Sequence, residues 1–218
     1  MADLTKFINL LAQTDGRDKI YKTLQNLVKI AAAQSSDKAQ AKKFNTLAKS
    51  LGEGRSLMRM AKWTTNYNKL VEYSKKASTL TSRQIVEILR VIGDFGYILG
   101  DNLSYLAKYG VLPFNASTTA KNSKIFQFWG FFFATLLDVW AMITLRAKAA
   151  SGMDEATYAK EAKALRLSLV KNFCDLLVTL NAVGYASAFY KPSGTALGVF
   201  GATSGAIATY NNWKKTKA

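Results

Sequence analysis

The stretch that decides the fold covers residues 125–145 and reads IFQFWGFFFATLLDVWAMITL. Its twenty-one residues match the length of about twenty that an apolar helix needs to cross a bilayer. Its eleven Phe, Leu, Ile and Val residues favour insertion by about 5 kcal/mol, whereas its one charge, Asp138, costs about 3 kcal/mol. The sum favours a spanning helix, and the alternative is a buried helix of a soluble protein. Basic residues flank the stretch on both sides: Lys121, Lys124, Arg146 and Lys148.

The composition outside this stretch indicates an all-α protein of one large or two small domains. The 218 residues include only two prolines, and alternation of β-branched with polar residues is almost absent. The net charge of +16 implies an anionic partner, either nucleic acid or an acidic membrane surface. Because the basic residues are spread over several helical segments without a known nucleic-acid-binding motif, we expect a membrane partner and no nucleic acid.

Catalysis is not expected from this chain. Histidine is absent and Cys174 is the sole cysteine, so no histidine base, paired nucleophile or thiolate metal site can form. No other catalytic constellation is visible, and we expect neither a cofactor nor a bound metal. The N-terminus lacks the pattern of a secretory signal peptide. We therefore expect a non-enzymatic protein whose insertion depends on internal apolar segments.

The first third of the chain predicts a set of basic amphipathic helices. Residues 1–76 carry 15 basic and 6 acidic side chains. Apolar residues recur at helical spacing at 20, 24, 27, 28 and 31, with Asp15 as the expected N-cap of that helix. We expect the next helix to be interrupted at Gly52 and Gly54. Residues 1–80 thus form a basic region at the cytosolic side or the membrane interface.

A second basic segment combines cations and aromatic residues on one helix, residues 61–76. This pattern is typical of a helix lying in a membrane interface, and the alternative is a cationic surface helix packed on a protein core. The residues expected to insert are Trp63, Tyr67, Leu70 and Val71. The basic residues expected to meet lipid head groups, here and further upstream, are Arg17, Lys19, Lys22, Arg55, Arg59, Lys62, Lys69, Lys75 and Lys76.

Residues 81–218 predict a helical membrane bundle. Thr81 starts a capping box before the apolar but charged segment 85–111, whose three glycines at 93, 96 and 100 permit close helix contact. The firmest span is 125–145, with 176–210 and 85–111 as further candidates. Basic residues in the N-terminal third and in the C-terminal tail favour the cytosolic side for both termini, hence two or four spans.

Four glycines near the C-terminus lie on one helical face, spaced four, three and four apart. Such a face favours close helix–helix packing in lipid, and we interpret it as a packing or oligomer surface. The alternative is a glycine-rich loop, although no phosphate-loop motif is present. The four residues are Gly194, Gly198, Gly201 and Gly205.

Four acidic residues fall within or beside the apolar segments. Acids at such positions indicate a polar pathway through a membrane, or else they pair with nearby cations and fix helix packing. The cations expected for pairing are Arg90, Lys108 and Lys171. The four acids are Asp94, Asp101, Asp138 and Asp175.

Four short motifs occur in a fixed order along the chain. The first is TDGRDK at 14–19, followed by Tyr21, Lys22 and Gln25, and the second is the basic row Arg55, Arg59 and Lys62. The third is DNLSYLAKYG at 101–110, and the fourth is LVKNFCDLL at 169–177 with the glycine-rich end before Trp213. In this order the motifs resemble those of the peroxin-11 family, the membrane proteins of peroxisome elongation and proliferation. Length and composition are also similar to members found on glycosomes.

The resemblance implies an integral protein of the peroxisomal or glycosomal membrane with both termini in the cytosol. It implies self-association as a dimer or larger oligomer, and membrane bending by the 61–76 helix before fission. A peroxisomal membrane-protein import receptor and the fission machinery are the implied partners, and an oligomeric channel for small metabolites is the alternative function. The family motif usually has a glycine where this chain has Ala61, so we expect a more continuous helix there.

Overall fold

Helices make up nearly all of the structure, a computed structural model that describes residues 2–76 and 79–217. No strand occurs in those residues, which confirms the all-α prediction. Residues 1, 77, 78 and 218, which belong to the predicted regions 1–80 and 81–218, lie outside the described residues. The helices in the described part are α1 (Ala2–Ala12), α2 (Thr14–Gln34), α3 (Lys38–Met58), α4 (Trp63–Ser74), α5 (Ser82–Lys108), α6 (Ala116–Ala150), α7 (Glu155–Val183) and α8 (Gly194–Lys215).

Local sequence signals explain several helix ends. The capping box before α5 is confirmed, because the Thr81 hydroxyl accepts from the Gln84 backbone and the Gln84 side chain accepts from the Thr81 backbone. The predicted N-cap at Asp15 is wrong: α2 begins one residue earlier, and Asp15 lies in its first turn. The predicted interruption at Gly52 and Gly54 is also wrong, since α3 continues to Met58.

The candidate span 176–210 consists of two helices. Helix α7 ends at Val183, Gly184 follows with a φ of 74°, and α8 begins at Gly194. Such a left-handed residue after the last turn is a common glycine helix end. Within the described ranges, α6 is the one helix long and apolar enough to cross a membrane. The candidate spans 85–111 and 176–210 therefore stay predictions.

Six helices form a closed ring. Each of α2, α3, α5, α6, α7 and α8 packs against the next in that order, and α8 packs against α2 again. Neighbouring helices run in opposite directions. Between α5 and α6, for example, Gly93 meets Gly130 and Gly100 meets Ser123. Helix α4 packs on the outside of α5, and α1 contacts α2 and α8. The predicted N-terminal region is thus built into the same ring as the C-terminal one.

Glycines set the closest helix contacts in this ring. A Cβ at Gly93 would lie 2.5 Å from the Gly130 nitrogen, so α5 and α6 touch through their backbones. On α8, a Cβ at Gly201 would lie 2.2 Å from the Asn26 Oδ1, and one at Gly205 would lie 2.9 Å from the Thr23 nitrogen. The glycine face of α8 therefore packs on α2 of the same chain.

The outer face of α6 is apolar. Within its most apolar continuous stretch of eighteen residues, only 28% are buried inside the protein. Its inward residues include Phe128, Ala134 and Leu137, and Gly130 lies against α5. The outer face of α6 consists of Phe126, Trp129, Phe132, Leu136, Val139, Trp140 and Ile143.

Candidate functional site

The ring encloses a polar cavity of ≈ 330 Å³ to which all six helices contribute. Seven cationic side chains line it against three carboxylates, which gives the lining a formal excess of four positive charges. We call it the ring cavity. Its cations are Lys19, Lys22, Lys29, Arg55, Arg59, Lys124 and Lys171, and its carboxylates are Asp18, Asp101 and Asp175.

Asp18 on α2 is the most deeply buried charge at the ring cavity, with 1% of its surface exposed. Its Oδ1 accepts hydrogen bonds from the Arg55 Nε at 3.0 Å and the Arg59 Nη1 at 3.1 Å, and its Oδ2 accepts from the Lys19 Nζ at 2.6 Å. Burial alone would raise the pKa of Asp18, but these three cations outweigh it and lower the pKa far below its usual range. Asp18 is therefore ionised and ties α2 to α3.

Arg59 extends this network to α5. Its Nη2 donates to the Asp101 Oδ2 at 2.9 Å, and the Ser56 hydroxyl donates to the Asp101 Oδ1 at 3.2 Å. The Arg59 side chain is 9% exposed, and its Nε has no hydrogen-bond partner within the described residues. One buried guanidinium thus bridges two carboxylates from different helices.

A second ion pair joins α2 to α7 and α8. The Lys22 Nζ donates to both carboxylate oxygens of Asp175, at 2.6 and 2.8 Å, and the Ser204 hydroxyl donates to Oδ1 at 2.7 Å. Burial lowers the pKa of Lys22 to about 8, against the opposing pull of Asp175. Three helices of the ring therefore meet at one carboxylate.

The remaining cations of the ring cavity have no carboxylate partner. Among the described residues, Lys29, Lys124 and Lys171 form no ion pair. The Lys124 Nζ donates to the Gln127 Oε1 at 2.9 Å and lies 5.3 Å from the centre of the Tyr97 ring. The guanidinium of Arg59 lies 5.6 Å from the same ring, so two cations share one aromatic side chain.

The four predicted acids fall into three environments. Asp101 and Asp175 line the ring cavity, whereas Asp138 accepts from the Ser168 hydroxyl at 2.9 Å and from the Asn172 amide at 2.6 Å between α6 and α7. Asp94 lies 3.7 Å from Arg90, as the pairing alternative predicted. The expected partner Lys108 instead pairs with Glu53 of α3.

The predicted head-group cations divide between the inside and the outside of the ring. Lys22, Arg55 and Arg59 differ from the prediction because they engage carboxylates in the interior. Lys19 also pairs with Asp18, and Lys62 pairs with Asp15 near the surface. The exposed members are Arg17, Lys69, Lys75 and Lys76.

The expected continuity at Ala61 is wrong. Ala61 has a φ of 60°, α3 ends at Met58, and α4 starts only at Trp63. The Asn102 side chain accepts from the Ala61 backbone nitrogen at 3.0 Å and holds this turn on α5. Because glycine adopts positive φ without a steric cost, the glycine of the family motif suits this turn better than alanine.

Helix α4 lies on α5 with its predicted apolar stripe only partly covered. The Trp63 ring packs edge-on against Phe95 with centroids 6.2 Å apart. Tyr67 is 53% exposed, and Leu70 and Val71 are half-buried. Both alternatives for 61–76, an interfacial helix and a surface helix on a protein core, are compatible with this arrangement.

Sequence reasoning missed Asp18, Gln25, Tyr97 and Lys124 at the ring cavity, and also Ser204, which donates to Asp175. It took the apolar stripe of α2 as that helix's principal face, yet Leu24 and Leu27 on this stripe are 45% and 49% exposed. A usable signal was present on the opposite side of α2. Polar residues also recur there at helical spacing, and these form the inner face: Asp18, Lys22, Gln25, Asn26 and Lys29.

Charges inside and apolar side chains outside define the class: a helical protein associated with a membrane. Within that class, the chain belongs to the family Peroxisomal biogenesis factor 11 (PEX11), which matches residues 4–213. Membership implies a role in peroxisome biogenesis and association with the peroxisomal membrane, in a family not known for catalysis. No curated protein and no solved structure gives a significant match to the chain.

Proposed function

We propose that this chain is an integral protein of the peroxisomal membrane, or of the glycosomal membrane, that self-associates and elongates the membrane before fission. The observation that carries the proposal is the outer face of α6, which is apolar over more than four helical turns and largely exposed in the described part of the chain. A surface of this kind is stable in lipid and prone to association in water.

Helix α4 supplies the asymmetry that curvature requires. It packs on the outside of α5, exposes Tyr67, and presents Lys69, Lys75 and Lys76 to solvent. Insertion of an aromatic face into one leaflet expands that leaflet, and the lysines bind its anionic head groups. Helix α6 anchors the protein, together with a second of the predicted spans that keeps both termini in the cytosol, while α4 acts as the wedge.

Self-association uses the outer surface of the ring. The glycine face of α8 is occupied by α2, and the glycines of α5 are occupied by α6, so neither is free for a second copy. The aromatic residues on the outer face of α6 are the surface we favour for a dimer or larger oligomer. The membrane-protein import receptor and the fission machinery act on this assembly from the cytosol.

Reconstitution of the full-length chain tests the proposal. We expect liposomes containing anionic lipid to form tubules visible by electron microscopy, and the variant Lys75→Glu/Lys76→Glu to lose most of them. The matched control is Lys160→Glu/Lys163→Glu, which makes the same charge change at exposed positions of α7. Equal tubulation by all three proteins would exclude α4 as the wedge.

A channel for small metabolites is a second candidate, favoured by the polar ring cavity. Conduction would depend on the carboxylates that line the cavity, such as Asp175, more than on Asp138, which lies outside the lining. Solute flux from vesicles should then change with Asp175→Asn and not with Asp138→Asn. Absence of flux through the unmodified protein would exclude this function.

A further inference from the structure

We infer that the ring cavity binds a compound carrying several phosphate groups, either a free phosphate compound or the phosphorylated head group of a lipid. This inference does not depend on membrane elongation or on conduction. It concerns an interior site, distinct from the surface lysines of α4 that contact the membrane in the proposed function.

The charge balance of the ring cavity is the first support. Its three carboxylates are each engaged by at least one of the cations Lys19, Lys22, Arg55 and Arg59. Lys29, Lys124 and Lys171 are left over, and they come from three different helices, α2, α6 and α7. Lys124 and Lys171 are half-buried, and Lys29 is exposed at the edge of the cavity. Half-buried cations without counterions lose part of their hydration, so an anion that contacts them would be stabilising.

Two cations at one tyrosine provide the second support. Lys124 and Arg59 each lie within 5.6 Å of the centre of the Tyr97 ring. The charges of Arg59 and Lys124 repel each other, although Asp101 and Asp18 partly compensate Arg59. An anion in the cavity would relieve the repulsion on the Lys124 side.

Unused donors provide the third support. The Arg59 Nε is buried without a partner, although a guanidinium nitrogen in the interior normally makes a hydrogen bond. The Arg55 Nη2 donates to neither Asp18 nor Gln25, and Lys29, Lys124 and Lys171 offer point charges, which together suit phosphate oxygens. The cavity volume of ≈ 330 Å³ is about twice the roughly 150 Å³ that holds benzene in an engineered protein cavity.

The test uses the full-length chain in detergent and measures binding of inorganic pyrophosphate by calorimetry, with sodium chloride at matched ionic strength as reference. We expect saturable binding of pyrophosphate and none of chloride. Lys124→Gln and Lys171→Gln should each weaken pyrophosphate binding about tenfold or more, since each removes one charge-assisted contact. The control Lys163→Gln, exposed on the same helix as Lys171, should leave binding unchanged.

Thermal unfolding provides a second readout that does not need ligand. Because Lys124→Gln and Lys171→Gln remove uncompensated cations, neither should destabilise the ligand-free protein. Pyrophosphate should raise the melting temperature of the unmodified protein and of Lys163→Gln by more than that of either variant. Destabilisation of both ligand-free variants would overturn the proposed charge excess, because it would mean that these lysines are already satisfied.

Two further probes separate the sources of the phosphate groups. Inositol hexakisphosphate represents a soluble compound, and vesicles with a few per cent of phosphatidylinositol bisphosphate represent a lipid. If the detergent-solubilised protein binds inositol hexakisphosphate more tightly than it binds the vesicles, the site is assigned to a free compound. Dependence of vesicle binding on Lys124 and Lys171, without binding of the soluble probe, assigns it to a head group. If Lys163→Gln weakens the binding of all probes as much as Lys124→Gln and Lys171→Gln do, the binding is general charge attraction and the proposed site is wrong.

Discussion

The outer face of α6 and the inner face of α2 invert the usual arrangement of a soluble protein. Helix α6 directs Trp129, Phe132 and Ile143 outward. Helix α2 directs Asp18 and Lys22 inward, toward the ring cavity. In water, burying charges and exposing aromatic side chains would both be unfavourable. In lipid, exposed aromatic side chains are favourable, and charged side chains have to lie inside the protein.

The difference also shows how each face is held in place. The outer face of α6 needs no specific partner, because lipid tails contact any apolar side chain. The inner face of α2 is fixed by hydrogen bonds to particular atoms on α3 and α7. Substitutions should therefore act through specific contacts on the inside and through general polarity on the outside.

The largest expected effect on stability comes from Arg59→Ala. It removes the bridge between Asp18 and Asp101 and leaves buried carboxylates short of a cation, which typically costs about 3–5 kcal/mol. The free energy of unfolding in mixed detergent micelles, followed by far-ultraviolet circular dichroism, measures this cost. Arg17→Ala at an exposed site should change it by less than about 0.5 kcal/mol. Equal effects of the two variants would mean that the interior network contributes nothing specific.

The outer face is tested next by Val139→Asp. Val139 is 41% exposed and adjoins Asp138, whose carboxylate is satisfied by Ser168 and Asn172. An aspartate one position further on would face lipid without partners and oppose insertion by about 3 kcal/mol. The fraction resistant to alkaline carbonate extraction should fall sharply, while Val139→Leu should retain it. Full retention of Val139→Asp would show that this face does not meet lipid.

The sequence predicted the outside better than the inside. The long apolar helix over 125–145, the capping box at Thr81 and the close packing of Gly93 all follow from local patterns, and the α8 glycines do pack closely. The ring cavity was not predicted, because its charges come from five helices. No local pattern specifies that Asp18 meets Arg59 or that Lys22 meets Asp175. The apolar stripe of α2 faces away from the ring cavity, and the polar side of the helix lines it. The sequence alone does not give this direction, because it depends on whether lipid or protein surrounds the helix.

A smaller effect is expected at the contact of α5 with α6, which holds the outer face of α6 in place on the ring. In Gly93→Ala the new methyl group would lie 2.5 Å from the Gly130 nitrogen and 2.6 Å from its Cα, so the backbones must separate. Overpacking of this kind costs about 1–3 kcal/mol. Gly54→Ala is the control, because its methyl group would lie 3.8 Å from the Tyr21 ring, an ordinary contact, and alanine favours the helix.

Opposite signs in the two glycine variants would support the backbone contact. Gly93→Ala should lower the midpoint of unfolding in mixed micelles, and Gly54→Ala should leave it unchanged or raise it slightly. If Gly93→Ala were as stable as the unmodified protein, α5 and α6 would have to lie further apart than their glycines indicate.

The smallest expected effect is at Ala61, where the chain passes from Arg59 on the inside to α4 on the outside. A left-handed conformation costs a non-glycine residue about 1–2 kcal/mol, and glycine avoids this cost but adds entropy to the unfolded chain. Ala61→Gly should therefore stabilise the protein by about 0.5–1 kcal/mol in the same micelle assay. Ala159→Gly, at an exposed helical position of α7, should destabilise it by about 1 kcal/mol. A loss of stability in Ala61→Gly as large as in Ala159→Gly would mean that α3 and α4 form the continuous helix that the sequence predicted.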